Sequence, residues 1–187
     1  MLFLLFGACN NQPKSTIDTV ELVDILMKET DYSGKWQWID SDTYQTEDIP
    51  TESNNYLLRS TTRTLTGFYD PGHYYIRIYN RIEYYNNNPP MSSADDVTLG
   101  INGEKTFDLN FSLASQRVTL SKCVTEPVIS SDTSMFCKII VNYDRLVSII
   151  TFYAPSNIDR DEITDLIDQV LESIDKRVQQ TIELPSP

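Results

Sequence analysis

The amino-acid sequence predicts an α+β fold: a mostly antiparallel sheet of about seven or eight strands, with an N-terminal helix and a long C-terminal helix packed on it. Three observations predict it. Apolar residues recur at helical spacing near both ends of the chain. Between them lie runs rich in Thr, Tyr, Ile and Val, separated by turn-forming residues. At 187 residues and 40% hydrophobic content, the chain can bury one core and needs no second domain.

Residues 18–28 carry Val20, Leu22, Val23, Ile25, Leu26 and Met27, with Asp18 and Glu21 at capping-box spacing, so the first helix is placed there. Residues 35–39, containing Trp36 and Trp38, read as a first strand. Residues 40–54 are polar, acidic and without periodicity, and read as a loop. A long hairpin follows. Residues 56–69 and 73–85 are rich in Thr, Tyr, Ile and Leu, and Asp70-Pro71-Gly72-His73 between them combines the fixed φ of proline with the freedom of glycine.

Two prolines in residues 86–93 end the sheet there for a stretch expected to be exposed. Residues 97–101 and 105–113 flank Asn102-Gly103, a strong hairpin signal, and Phe107, Leu109, Phe111 and Leu113 alternate with polar residues. Strands at 117–125 and 135–142 flank a proline-containing loop at 126–133. Residues 146–153 are apolar at nearly every position, as in a central strand covered on both faces. The final helix spans 157–178, where Ile163, Leu166, Ile167, Val170, Leu171, Ile174 and Val178 form one stripe. Asp159 and Glu162 would cap its start, and Lys176 and Arg177 would complement its dipole.

The N-terminus carries an address. Residues 1–8 are apolar or small, end at Cys9, and give way to the polar stretch 10–15; the run is too short to span a bilayer. Leu5-Phe6-Gly7-Ala8-Cys9 resembles the lipobox of bacterial lipoproteins, with Phe6 where leucine is usual. The resemblance implies a signal peptide at 1–8, lipidation of Cys9 by a diacylglycerol and a further acyl chain such as palmitate, a tether over 9–16, a domain at 17–180 and a tail at 181–187. No Lys or Arg precedes the apolar run, which is consistent with a start upstream of Met1. The expected location is the extracytoplasmic side of a cell membrane or outer membrane, held by the lipid.

Cysteine count agrees with that address. With Cys9 lipidated, Cys123 and Cys137 remain, and folding their strands as a hairpin puts them opposite one another, either as a disulfide or as two buried thiols.

Charge and composition restrict the function. Fifteen Lys+Arg against 27 Asp+Glu give a net charge of -12, which argues against nucleic acid as a partner. The single histidine, His73, has no nucleophile near it in sequence and is expected to be exposed. Asp95-Asp96 and Asp159-Arg160-Asp161-Glu162 lack the glycine and spacing of a calcium loop. No recognised catalytic or nucleotide-binding motif is present, so no enzyme, cofactor or metal is expected.

If the hairpin turns at Pro71-Gly72, Leu65 meets Ile78 and Gly67 meets Ile76 on one face, with Ile82, and that face turns inward. On the opposite face Phe68 meets Tyr75, and that face carries Thr62, Thr64, Thr66, Tyr75, Arg77, Tyr79, Arg81, Glu83 and Tyr85. Tyr75, Arg77, Tyr79, Arg81 and Tyr85 form the candidate binding face, because Tyr and Arg dominate recognition surfaces. The same residues also suit an ordinary solvated sheet face, and a bulge at the turn would exchange the two faces. Trp36 and Trp38 share a side of their strand and suit either core filling or stacking on a sugar, core filling being the commoner fate.

The order of elements over residues 18–178 resembles the Mog1/PsbP-like sandwich and the PknH C-terminal sensor-type domains, the latter stapled by several cysteines where this chain has one pair. Gly34-Lys35-Trp36 also resembles the Gly-x-Trp pattern of lipocalins, which implies a closed barrel plus a C-terminal helix as an alternative fold. These readings predict a membrane-tethered extracytoplasmic binding or sensing module for a small molecule, glycan or protein. The alternatives are an accessory or assembly subunit of a membrane complex, and a lipocalin-like carrier of an apolar ligand.

Overall fold

A computed structural model describes residues 21–32, 34–48, 57–69, 74–86, 106–107, 118–127 and 133–181. In chain order these form a short helix α1 (Leu22–Ile25), a 3-10 turn (Glu29–Asp31), and strands β1 (Trp36–Asp48), β2 (Leu57–Tyr69), β3 (Tyr74–Tyr85), β4 (Thr106–Phe107), β5 (Val118–Pro127), β6 (Thr133–Tyr143) and β7 (Leu146–Pro155). A long helix, α2 (Arg160–Thr181), follows. Cys9, His73 and Asp95-Asp96 lie outside the described residues, as do the Asn102-Gly103 turn and most of the strands predicted around it.

The strands form one antiparallel sheet in the order β1-β2-β3-β7-β6-β5-β4. Two meanders, β1–β3 and β4–β7, are joined along β3 and β7, which puts β7 at the centre of the sheet and explains its nearly continuous apolar sequence. The sheet is open, so the closed lipocalin-like barrel is corrected. Its inner face is covered by a helix instead of by the sheet curling on itself: all seven apolar residues of the predicted α2 stripe are buried against Ile76, Ile78, Ile82, Ile139, Ile150 and Phe152.

The β2–β3 register is the predicted one, with Leu65 opposite Ile78, Gly67 opposite Ile76 and Phe68 opposite Tyr75. A register break falls at the far end, between Leu57 and Arg59, and leaves the faces as expected over the rest of the hairpin. Gly67 is a packing necessity, since a Cβ there would come within 2.9 Å of the Trp38 ring. Trp36 is buried, 4.9 Å from the Tyr69 ring, and Trp38 packs against the core, so both tryptophans are core residues.

Three elements differ from expectation. The strand predicted at 35–39 continues through Asp48, where a polar loop was expected. Pairing with β2 satisfies the backbone groups on its inner side, an edge strand tolerates polar residues, and register breaks between Trp38 and Asp40 and between Tyr44 and Glu47 erase the period-two pattern. Secondly, the described part of the first helix is only Leu22–Ile25, and Glu21 at its N-cap makes no side-chain capping bond. Arginine and asparagine side chains from β2, β3 and α2 take over the backbone groups that further helical turns would have used. Thirdly, Asp159 caps α2 by accepting from the Asp161 N–H at 2.9 Å, but Glu162 does not complete the box. Its carboxylate instead pairs with Lys35 at 2.8 Å.

Cys123 and Cys137 form a disulfide between in-register positions of β5 and β6. Both face the core. The β6–β7 turn is made by Asp144 and Arg145, with Asp144 in the left-handed region at φ 57° that Asp tolerates better than most residues. Arg145 then latches the turn to the end of β3, donating from Nε to the Tyr85 carbonyl at 2.9 Å.

Candidate functional site

The face of the sheet opposite α2 is ordered by strand register into cross-strand rows. One row runs Thr66, Arg77, Tyr153, Phe136 and Val124 across β2, β3, β7, β6 and β5. The next runs Thr64, Tyr79, Thr151, Lys138 and Lys122. Neighbouring rows bring their aromatic rings together. Tyr153 packs on Phe136 at 4.8 Å between centroids and meets Tyr79 edge-on at 6.0 Å, and Phe68 lies 5.1 Å from Tyr75. Such tilted and edge-on contacts are the favoured geometry for ring quadrupoles.

The five residues predicted for this face do not share one environment. Tyr75 is 60% exposed and Arg77 is exposed, its Nη1 lying 3.5 Å from the Tyr79 hydroxyl. Arg81 is also exposed, but it is committed to Glu83 through an ion pair at 2.8 Å. Tyr85, expected on the open face, is 94% buried by its 6% exposure and donates its hydroxyl to Glu83 at 2.6 Å. Burial, then the hydrogen bond and charge of Glu83, push the Tyr85 phenol well above its usual range. Tyr85 packs with Ile140 and Val147 in a small second core, so among the described residues this end of the face is closed at Tyr85, while the Tyr75 end is open.

The open end has a structural cause. The β3–β7 ladder stops at Arg77 opposite Tyr153, whereas β2–β3 continues to Tyr69 opposite Tyr74 and β6–β7 to Ser134 opposite Pro155. The two meanders therefore part beyond Arg77. A concavity of about 410 Å³ opens between them, lined by Thr66, Tyr75, Arg77, Ser134, Tyr153 and Pro155 among others. That volume falls within the usual range of small-ligand sites, roughly 300–1,000 Å³.

No protein-family model, curated protein or solved structure matches this chain.

Tyr153 and Phe136 are the site residues that sequence reasoning missed, whereas Phe68 lies opposite Tyr75 as expected. The alternation in β7, where Val147, Ile149, Thr151 and Tyr153 share one face, was a signal for Tyr153, but only the β3–β7 pairing shows that it lies beside Arg77. Among the described residues, no group of His, Cys, Asp and Glu side chains is placed to hold a metal ion, and no helix is long and apolar enough to cross a membrane. The open end presents flat aromatic surfaces, the hydroxyls of Thr66, Ser134, Tyr75 and Tyr153, and the Arg77 guanidinium.

Proposed function

We propose that this chain is a membrane-tethered, extracytoplasmic binding module that holds its ligand at the open end of the outer sheet face, between Tyr75, Arg77, Tyr79 and Tyr153. The observation that carries the reading is the exposed aromatic cluster around Arg77, at the place where the two meanders part. Tyr75 and Tyr153 keep 60% and 44% of their surface in solvent, although α2 leaves the inner face fully packed. Rigid aromatic and arginine groups of this kind supply much of the binding energy where they occur in interfaces. The disulfide suits an oxidising compartment, and the lipobox-like Leu5 to Cys9 supports a lipid anchor as the way the domain is kept there.

The test is hydroxyl-radical footprinting of the lipidated protein in intact cell envelopes and of the purified protein. Expected is protection of Tyr75 and Tyr153 in the envelope, with Val23, exposed on the α1 side, labelled equally in both. Equal labelling of the two tyrosines in both preparations refutes the binding-module reading. Cys9→Ser should release the protein from the membrane fraction, and retention of that variant refutes the anchor.

A further inference from the structure

Among the described residues, the outer face gathers cations although the chain as a whole is acidic. Net charge is -12. Yet among the described side chains on that face, Arg77, Arg81, Lys122 and Lys138 stand against two carboxylates: Glu83, which pairs with Arg81, and Asp42 on the edge strand β1, opposite Thr64. Lys122 and Lys138 are directly opposite each other on β5 and β6, next to the disulfide, and neither makes an ion pair among the described residues. Like charges in direct cross-strand opposition lower stability, and an anion lying between them would reverse that cost. Arg77 lies two strands from Lys138 and three from Lys122 and one row away from both, roughly 12 and 16 Å at ordinary strand spacing and rise. The cations thus cross the sheet in a line that begins at the cleft between the meanders.

Along that line the side chains between the charges are Tyr79, Tyr153, Phe136 and Thr151, with Thr66 and Ser134 at the cleft. Ring faces beside hydroxyls suit a sugar, whose C–H faces stack on aromatics while its hydroxyl groups exchange hydrogen bonds with Ser and Thr. A guanidinium adds charge-assisted bonding to a carboxylate. We propose that this line binds an acidic polysaccharide of the polyuronate class, laid across the strands from the Arg77 cleft to Lys122. Its carboxylates are met by Arg77, Lys138 and Lys122, and its rings by Tyr75 and Tyr153. An anionic membrane surface is a poorer occupant, because it would also face the excess negative charge of the rest of the domain, whereas a linear chain touches the line alone. The inference rests on the outer face being the binding face.

The experiment is isothermal titration of the full chain, made soluble by Cys9→Ser, with polygalacturonate, neutral dextran and poly-glutamate. Polygalacturonate should bind, more weakly as salt is raised, and dextran should not. Arg77→Ala and the double variant Lys122→Ala/Lys138→Ala should each weaken binding by about tenfold, as loss of a charge-assisted contact does. Tyr153→Ala should weaken it as well, while Lys176→Ala on α2 should leave it unchanged. The charge variants replace surface side chains, and a melting temperature no lower than that of the unsubstituted protein shows that they fold. Equal binding of poly-glutamate, or polygalacturonate binding that survives the Arg77 and lysine variants, overturns the proposal. So does absence of polygalacturonate binding. If Tyr75 and Tyr153 are nevertheless shielded in the envelope, the binding-module reading stands without the polysaccharide; if they are not, both fall.

Discussion

Arg177, on α2, grips Asp31 with both prongs of its guanidinium, Nη1 to Oδ1 and Nη2 to Oδ2, each at 2.6 Å. The same side chain donates to the carbonyls of Ile25 at 3.2 Å and Leu26 at 3.0 Å, which are the carbonyls left open where α1 ends. A basic residue expected to serve the dipole of its own helix therefore caps another. The Asp31 side chain is only 4% exposed, so removing its partner strands a buried charge. Arg177→Ala should cost about 3 kcal/mol, measured as a lowered urea midpoint with an unchanged slope. Arg177→Lys should recover little of it, because an ammonium cannot reproduce the fork.

Asn80 is the second anchor of that segment. Fully buried on β3, it accepts from the Met27 N–H at 3.0 Å and donates to the Ser148 hydroxyl at 3.0 Å. Asn80→Leu should leave both partners unsatisfied and cost about 2 kcal/mol or more. Amide hydrogen exchange at Met27 should accelerate more than exchange in the middle of α2; equal acceleration at both would show global loosening instead.

The Cys123–Cys137 bond closes a loop with a sequence separation of 14. In the chain-entropy account, its loss through Cys123→Ala/Cys137→Ala should cost about 3 kcal/mol. Unfolding with and without reductant checks this: the wild-type midpoint should fall on reduction, and that of the double variant should not move.

Stability should depend on pH at both ends of the scale. Burial pushes the Glu29 carboxyl up, but hydrogen bonds from its own backbone and from Ser41, together with the charge and hydrogen bond of Arg63, outweigh it and hold the carboxyl below its usual 4.5. The Lys35 and Tyr69 hydrogen bonds likewise lower Glu162. A lowered folded-state value means stability that is present above pH 4.5 and lost as the pH falls through the folded values. Glu29→Gln should flatten that acid limb. Tyr85 is shifted the other way: its raised value means stability that is complete below its usual 10.0 and declines as the pH rises above it. Tyr85→Phe should flatten the alkaline limb, as read from denaturant midpoints across the pH range.

Much of this was legible in the sequence where the signal is local. Asp70 to His73 with the alternation on either side specified the β2–β3 register correctly from Leu65 to Tyr75, because one buried face makes a one-residue slip expensive. The stripe from Ile163 to Val178 located α2, and the two strands around Cys123 and Cys137 located the disulfide. The continuation of β1 past Trp38 was not legible, since its polar residues and two register breaks hide a strand that exists through pairing with β2. Nor was the fate of Tyr85, which has the same place in the alternation as Tyr75 but falls among Ile140 and Val147 instead of in solvent.

The sequence by itself therefore determined the segments, the local register and the two faces of the hairpin, because alternation, turn residues and helical spacing act between near neighbours. Tertiary structure alone decided that β3 would pair with β7, two strands more than sixty residues apart in sequence, and where that pairing would stop. No local pattern encodes a contact whose partner is another complete meander. The cleft at Arg77, the nearness of Tyr153 and the capture of the Ile25, Leu26 and Met27 carbonyls by Arg177 and Arg63 all follow from that long-range packing.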